Sequence, residues 1–113
     1  MILKIEIKEQ IEDIYKYELS VNLVNKNVSY IKGETVIKNG GFDTSEQDLI
    51  DLFKDYATYW ANEMSGEATV RNRFVEINVY TDKEIVNYHF ENSFPEDLDE
   101  FLKVLKNKLD IVD

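Results

Sequence analysis

The chain has 113 residues, 23 of them acidic and 13 basic, for a net charge of -10 with its one histidine neutral. That surplus disfavours phosphate backbones and anionic membrane surfaces as partners, because like charges repel. No cysteine occurs, which excludes disulfides, thiol nucleophiles and thiolate metal sites and fits a reducing compartment.

Hydrophobic residues make up 43% of the chain, so it is expected to bury its own core as a single α+β domain over residues 1–113. No run approaches the length of a membrane-crossing helix. The opening MILKIEIK alternates with charge, unlike the apolar centre of a signal peptide. No nucleic acid and no membrane contact are expected, and the cytoplasm is the expected compartment.

Residues 2–8 alternate, with Leu3, Ile5 and Ile7 on one side and Lys4, Glu6 and Lys8 on the other, the pattern of a half-buried strand. A charged turn follows, with a short helical turn through Ile11 and Ile14 as an alternative. From Tyr15 to Val24 the chain alternates again, with Tyr17, Leu19, Val21 and Leu23 inward. Asn25, Lys26 and Asn27 form a turn, since asparagine tolerates left-handed backbone. Val28 to Lys38 reads as a third strand with a bulge or bend at Gly33. Asn39, Gly40 and Gly41 end it; they lack the lysine and further glycines of a phosphate-binding loop.

The longest periodic segment, Thr44 to Gly66, predicts a helix. Leu49, Phe53, Tyr56, Trp60 and Met64 fall within one apolar arc at 100° per residue. Asp43, Thr44 and Ser45 all suit its N-cap, and Ser65-Gly66 supplies a stop. Asp48, Asp51 and Asp55 fall at roughly 260°, 200° and 240° on the same wheel and form an acidic ridge, with Lys54 at its edge. Glu63 falls inside the apolar arc and, if buried, needs a partner such as Arg71 or Arg73.

Thr69 to Tyr80 and Glu84 to Glu91 predict a hairpin around Thr81-Asp82-Lys83-Glu84, with Val75, Ile77, Val79, Val86, Tyr88 and Phe90 inward. Its other face carries Phe74, Glu76, Asn78 and Tyr80 beside Ile85, Asn87 and His89. Its aromatic and polar mixture resembles an interface more than a solvent face, unless the last helix or another loop covers it. Ser93, Pro95 and Glu96 open the final helix, with Leu98, Phe101, Leu102, Leu105 and Leu109 as its buried stripe. The expected architecture is a mostly antiparallel five-stranded sheet packed with two amphipathic helices, in the order βββαββα. A crossover past the first helix can place strand one at the centre.

No catalytic residue is assigned. His89 has no oriented nucleophile or acid in its sequence neighbourhood. One histidine and no cysteine leave no usual zinc set, and no calcium loop occurs, so no metal or cofactor is expected. Size and charge together suggest a protein-binding module that docks on a basic partner and neutralises it, as bacterial immunity and antitoxin-type inhibitors do to toxins such as nucleases. No family motif carries that expectation. Its contact residues are Asp48, Asp51 and Asp55 for steering, with Tyr59, Phe74 or Tyr80 as an aromatic anchor. The alternatives are a small-ligand-binding or enzymatic domain with a helix–sheet pocket, and a self-associating structural domain.

Overall fold

A computed structural model describes residues 1–68 and 70–112. Its strands are β1 (Ile2–Ile11), β2 (Tyr15–Asn22), β3 (Asn27–Lys32), β4 (Thr35–Gly41), β5 (Glu63–Ser65), β6 (Arg73–Thr81) and β7 (Ile85–Glu91). Helix α1 (Glu46–Ala57) precedes β5, and α2 (Leu98–Lys108) follows β7. The strands form one seven-stranded sheet in the order β4-β3-β2-β1-β6-β7-β5. All neighbours are antiparallel except β5 and β7, which run parallel.

The sheet therefore has seven strands where five are predicted, and two local causes account for the difference. Gly33 adopts φ +62°, left-handed backbone that glycine accepts without steric cost. With Glu34 it makes a tight reversal rather than a bend, and the predicted third strand becomes the β3–β4 hairpin. Asn39, Gly40 and Gly41 do not end that strand but pair with Ser29, Val28 and Asn27.

The second cause lies after α1. The helix stops at Ala57, well short of Gly66. The Thr58 hydroxyl donates back to the Lys54 carbonyl, and the Trp60 amide donates to Ala57 across a tighter turn. Such back-bonding competes with helix continuation. The chain then runs beside β7: the His89 amide donates to the Asn62 carbonyl and the Gly66 amide to that of Glu91. Trp60 and Met64 still reach the core, so the helical phase of these residues is matched by a turn and a short strand.

β1 is the central strand, between β2 and β6. Its inward residues are Ile5, Ile7 and Glu9, while a bulge between Ile2 and Lys4 puts Ile2 rather than Leu3 in the buried place. The turn after β1 contains no helix; Glu12 takes left-handed backbone and Ile14 is exposed. In the β2–β3 turn the left-handed residue is Lys26, and Asn22 accepts the Val24 and Asn25 amides through its side chain. The β6–β7 hairpin has the predicted inward set, with Val75, Ile77, Val79 and Phe90 buried and Val86 and Tyr88 packed against the core. Thr69, read as the first residue of that hairpin, lies outside the described residues.

Both helices lie on this inward face. Phe53 of α1, Trp60, Phe101 of α2 and Tyr88 and Phe90 of β7 meet edge-to-face, with ring centroids 5.4–6.2 Å apart. That geometry sets positive ring edges against negative ring faces. The α2 stripe of Leu98, Phe101, Leu102, Leu105 and Leu109 is buried as predicted. The helix begins at Leu98, later than Pro95, and neither Ser93 nor Asp97 caps it through a side chain. Asp97 instead accepts the Trp60 indole N–H at 2.8 Å, which ties the start of α2 to the turn after α1. At the other end the Thr44 hydroxyl donates to the Lys108 carbonyl, so α1 and α2 are joined at both ends. Among the described residues no helix is long and apolar enough to cross a membrane.

Candidate functional site

The acidic ridge is built by the N-cap of α1. Of the three predicted capping residues it is Ser45 that caps, its hydroxyl accepting the Asp48 amide at 3.1 Å. Leu49, Ile50, Leu52, Phe53 and Ala57 are buried against the sheet and α2, which fixes the rotation of the helix. Asp48, Asp51 and Asp55 consequently face solvent, and all three are exposed. Asp51 accepts a hydrogen bond from the Gln47 amide at 2.8 Å. Among the described residues none of the three forms an ion pair. From Asp43 to Trp60 there are five acids and one base, Lys54. Tyr59 stands just past the helix end and is 94% exposed.

Phe74 and Tyr80 lie elsewhere. They sit on the outward face of β6, the face away from both helices, so α2 does not cover the hairpin's polar side. The predicted contact residues thus fall into two sets on opposite sides of the sheet, Asp48, Asp51, Asp55 and Tyr59 on one and Phe74 and Tyr80 on the other.

The outward face is ordered by cross-strand pairs. Glu18, Lys8, Glu76 and His89 lie in register across β2, β1, β6 and β7, with Glu63 of β5 beside His89. The next row runs Ser20, Glu6, Asn78 and Asn87. Asn87 donates to Asn78 at 2.7 Å, and Asn78 to Glu76 at 3.1 Å. Tyr80 donates its hydroxyl to Glu6, and that bond, aided by Lys4 at 3.4 Å, holds the Glu6 carboxyl below its ordinary range. The same bond raises the Tyr80 phenol. Phe74, Lys8, Gln10, Lys16, Glu18 and His89 border a shallow depression of about 280 Å³ there.

One group of charges is not among the predicted sites. Glu9 is buried, at 7% exposure, and takes an ion pair from Arg73 Nε at 2.5 Å. Arg73 also grips Asp99 of α2 at 2.7 and 3.4 Å and lies over the Phe94 ring, 4.6 Å from its centroid. Burial works against the guanidinium charge, but the hydrogen bonds to Asp99 and Glu9 outweigh it and raise its pKa. The Tyr17 hydroxyl is buried beside Glu9 without a well-formed hydrogen bond. Burial first and Glu9 second push its ionisation up. Glu63 is exposed, so the condition under which it needs Arg71 or Arg73 is not met, and the partners of Arg73 are Glu9 and Asp99. The sequence does carry a signal for this knot. Glu9 continues the inward phase of Ile5 and Ile7, and Arg73 that of Val75 and Ile77, so two opposite charges share the buried face.

Rings of Phe53, Trp60, Tyr88, Phe90 and Phe101 fill the middle of the space between helices and sheet, and a depression of about 360 Å³ bordered by Phe53, Lys54, Ala57, Thr58 and Tyr88 lies at its margin between α1 and β7. A depression of about 380 Å³ is bordered by Ile11, Glu67, Val70, Arg71, Arg73 and Phe94. Among the described residues no three of histidine, cysteine, aspartate or glutamate come together as a metal site. Comparison with protein-family models, with curated proteins and with solved structures finds no match.

Proposed function

We propose that the chain is a small acidic module that docks on a basic protein and neutralises it, in the manner of an immunity or antitoxin-type inhibitor of a toxin such as a nuclease. The observation that carries this reading is the α1 ridge, where Asp48, Asp51 and Asp55 are exposed and have no ion-pair partner among the described residues. An uncompensated row of this kind projects a field into solvent and raises the encounter rate with a cationic surface. Tyr59, at the end of the same helix, offers a rigid apolar body with a polar tip, the kind of side chain that dominates contact energy when it fills a partner's recess. Inhibition is by occlusion of the partner's cationic surface. The reading assigns this chain no catalysis and no cofactor, and places its action in the cytoplasm.

The test compares the wild type with Asp48→Lys/Asp51→Lys/Asp55→Lys as baits in a lysate of the source cell, at low and raised salt. The expected result is a basic protein retained by the wild type, released by salt, inhibited on binding, and lost from the triple variant while the fold is kept. Equal retention by both baits removes α1 as the docking surface. A captured protein whose activity is unaffected removes the inhibitory role.

A further inference from the structure

From Leu19 to Phe42 the chain carries one acid, Glu34, against three lysines, in a protein whose other segments are rich in acids. These residues form the second half of β2 together with β3 and β4, ending at the sheet's edge. All three lysines are turned onto their own chain. Lys26 lies over the Phe42 ring at 5.5 Å, Lys32 over Tyr15 at 5.2 Å, and the Lys38 ammonium donates to the Leu109 carbonyl at 2.6 Å. The edge therefore has neither the acidic surplus of the rest of the surface nor free lysines of its own.

Edge strands present unpaired backbone groups and are commonly blunted by outward charge, proline, shortness or a β-bulge. β4 is seven residues long, contains no proline, and has its one lysine turned inward. A bulge at Ile37 bends it, where Tyr30 pairs with Lys38 but Ile31 with Val36. That bulge leaves Val36 at 58% and Ile37 at 40% exposure. Ile14, at 63%, lies in the β1–β2 turn and, with Glu12, Asp13 and Lys16, borders the same depression as Gly33 of the β3–β4 turn. The opposite edge, β5, is three residues long, with Glu63 in it and Glu67 just beyond.

We propose that β4 is a self-recognition edge, at which a second copy of this chain pairs antiparallel about a two-fold axis and joins the two sheets. Charge selects that occupant. A basic partner finds no surplus of acid here, whereas a second copy, itself at -10, meets its least repulsion at this edge. A two-fold axis presents the same strand from both sides, so each open backbone row meets its equal, and Val36 and Ile37 are covered together. This inference is independent of the α1 ridge.

Sedimentation velocity from about 1 µM to about 1 mM covers the range of a weak dimer. The expected result is a sedimentation coefficient that rises with concentration, with hydrogen-exchange protection of the Thr35–Gly41 amides rising alongside it. Val36→Lys/Ile37→Lys is expected to weaken the dimer by roughly tenfold or more by placing charges at the seam. Ser65→Lys, at the opposite edge, is expected to leave it unchanged. A constant sedimentation coefficient overturns the proposal, as does β4 protection that ignores concentration. A dimer that survives the β4 variant, or that Ser65→Lys also abolishes, overturns it too. The exchange measurement on the wild type stands even where a variant fails to fold.

Discussion

Glu9 and Asp55 are both carboxylates in an acid-rich chain, and they meet opposite environments. Glu9 is buried and bonded to Arg73, which is itself held by Asp99 and by the Phe94 ring. Asp55 stands in solvent with Asp48 and Asp51, and among the described residues none of the three has an ion-pair partner. Net charge alone does not distinguish the two regions. In one, each charge is matched and the group holds α2 onto the sheet. In the other, charge is left over and is available to something outside the fold.

The sharpest way to break this contrast is Arg73→Ala. It strands a buried carboxylate and is expected to cost about 3 kcal/mol, read from urea denaturation. Asp99 adds little to that figure because its side chain is 76% exposed. Changing both partners, Glu9→Leu with Arg73→Met, is expected to cost less than Arg73→Ala alone, since no unpaired charge remains. A double variant less stable than the single one contradicts the account of Glu9 as a carboxylate that needs its counter-charge.

Ser45→Ala removes the cap that sets the start of the ridge helix and is expected to cost about 1 kcal/mol. A melting temperature equal to that of the wild type shows that the Asp48 amide finds another acceptor.

On the ridge itself, Asp48→Asn/Asp51→Asn/Asp55→Asn is expected to change stability by no more than about 0.5 kcal/mol, since only like-charge neighbours are relieved. A loss comparable to that of Arg73→Ala means that these carboxylates support the fold.

Glu6 is an intermediate case, an outward-facing carboxylate held by Tyr80. Its folded pKa is depressed, so its contribution to stability is present above the ordinary carboxylate range and is lost as pH falls through the folded value. Tyr80→Phe is therefore expected to melt slightly below the wild type at neutral pH, with the gap closing in acid. A gap that widens in acid reverses the assignment.

Much of the fold is legible in the alternation of apolar residues. Val75, Ile77 and Val79 on β6 and Leu98 to Leu109 on α2 take the places their spacing predicts, because each buries one continuous face. Trp60 and Met64 show where spacing runs out. Residues of one helical phase can also reach a core through a turn and a strand, and the partner that decides, β7, is distant in sequence. The ridge was legible because a helix face depends on neighbours along the chain. Glu9 and Arg73 were legible only as phase anomalies, since their meeting depends on β1 and β6 being paired.

That pairing has a temporal side. Ile7 aligns with Ile77, so β1 leaves the ribosome about seventy residues ahead of its neighbour β6. At about 5–20 residues per second that lag is roughly 4–14 s. For that interval the nascent β1–β2 hairpin carries an open flank along the future middle of the sheet. The flank closes only when β6 emerges and pairs with β1.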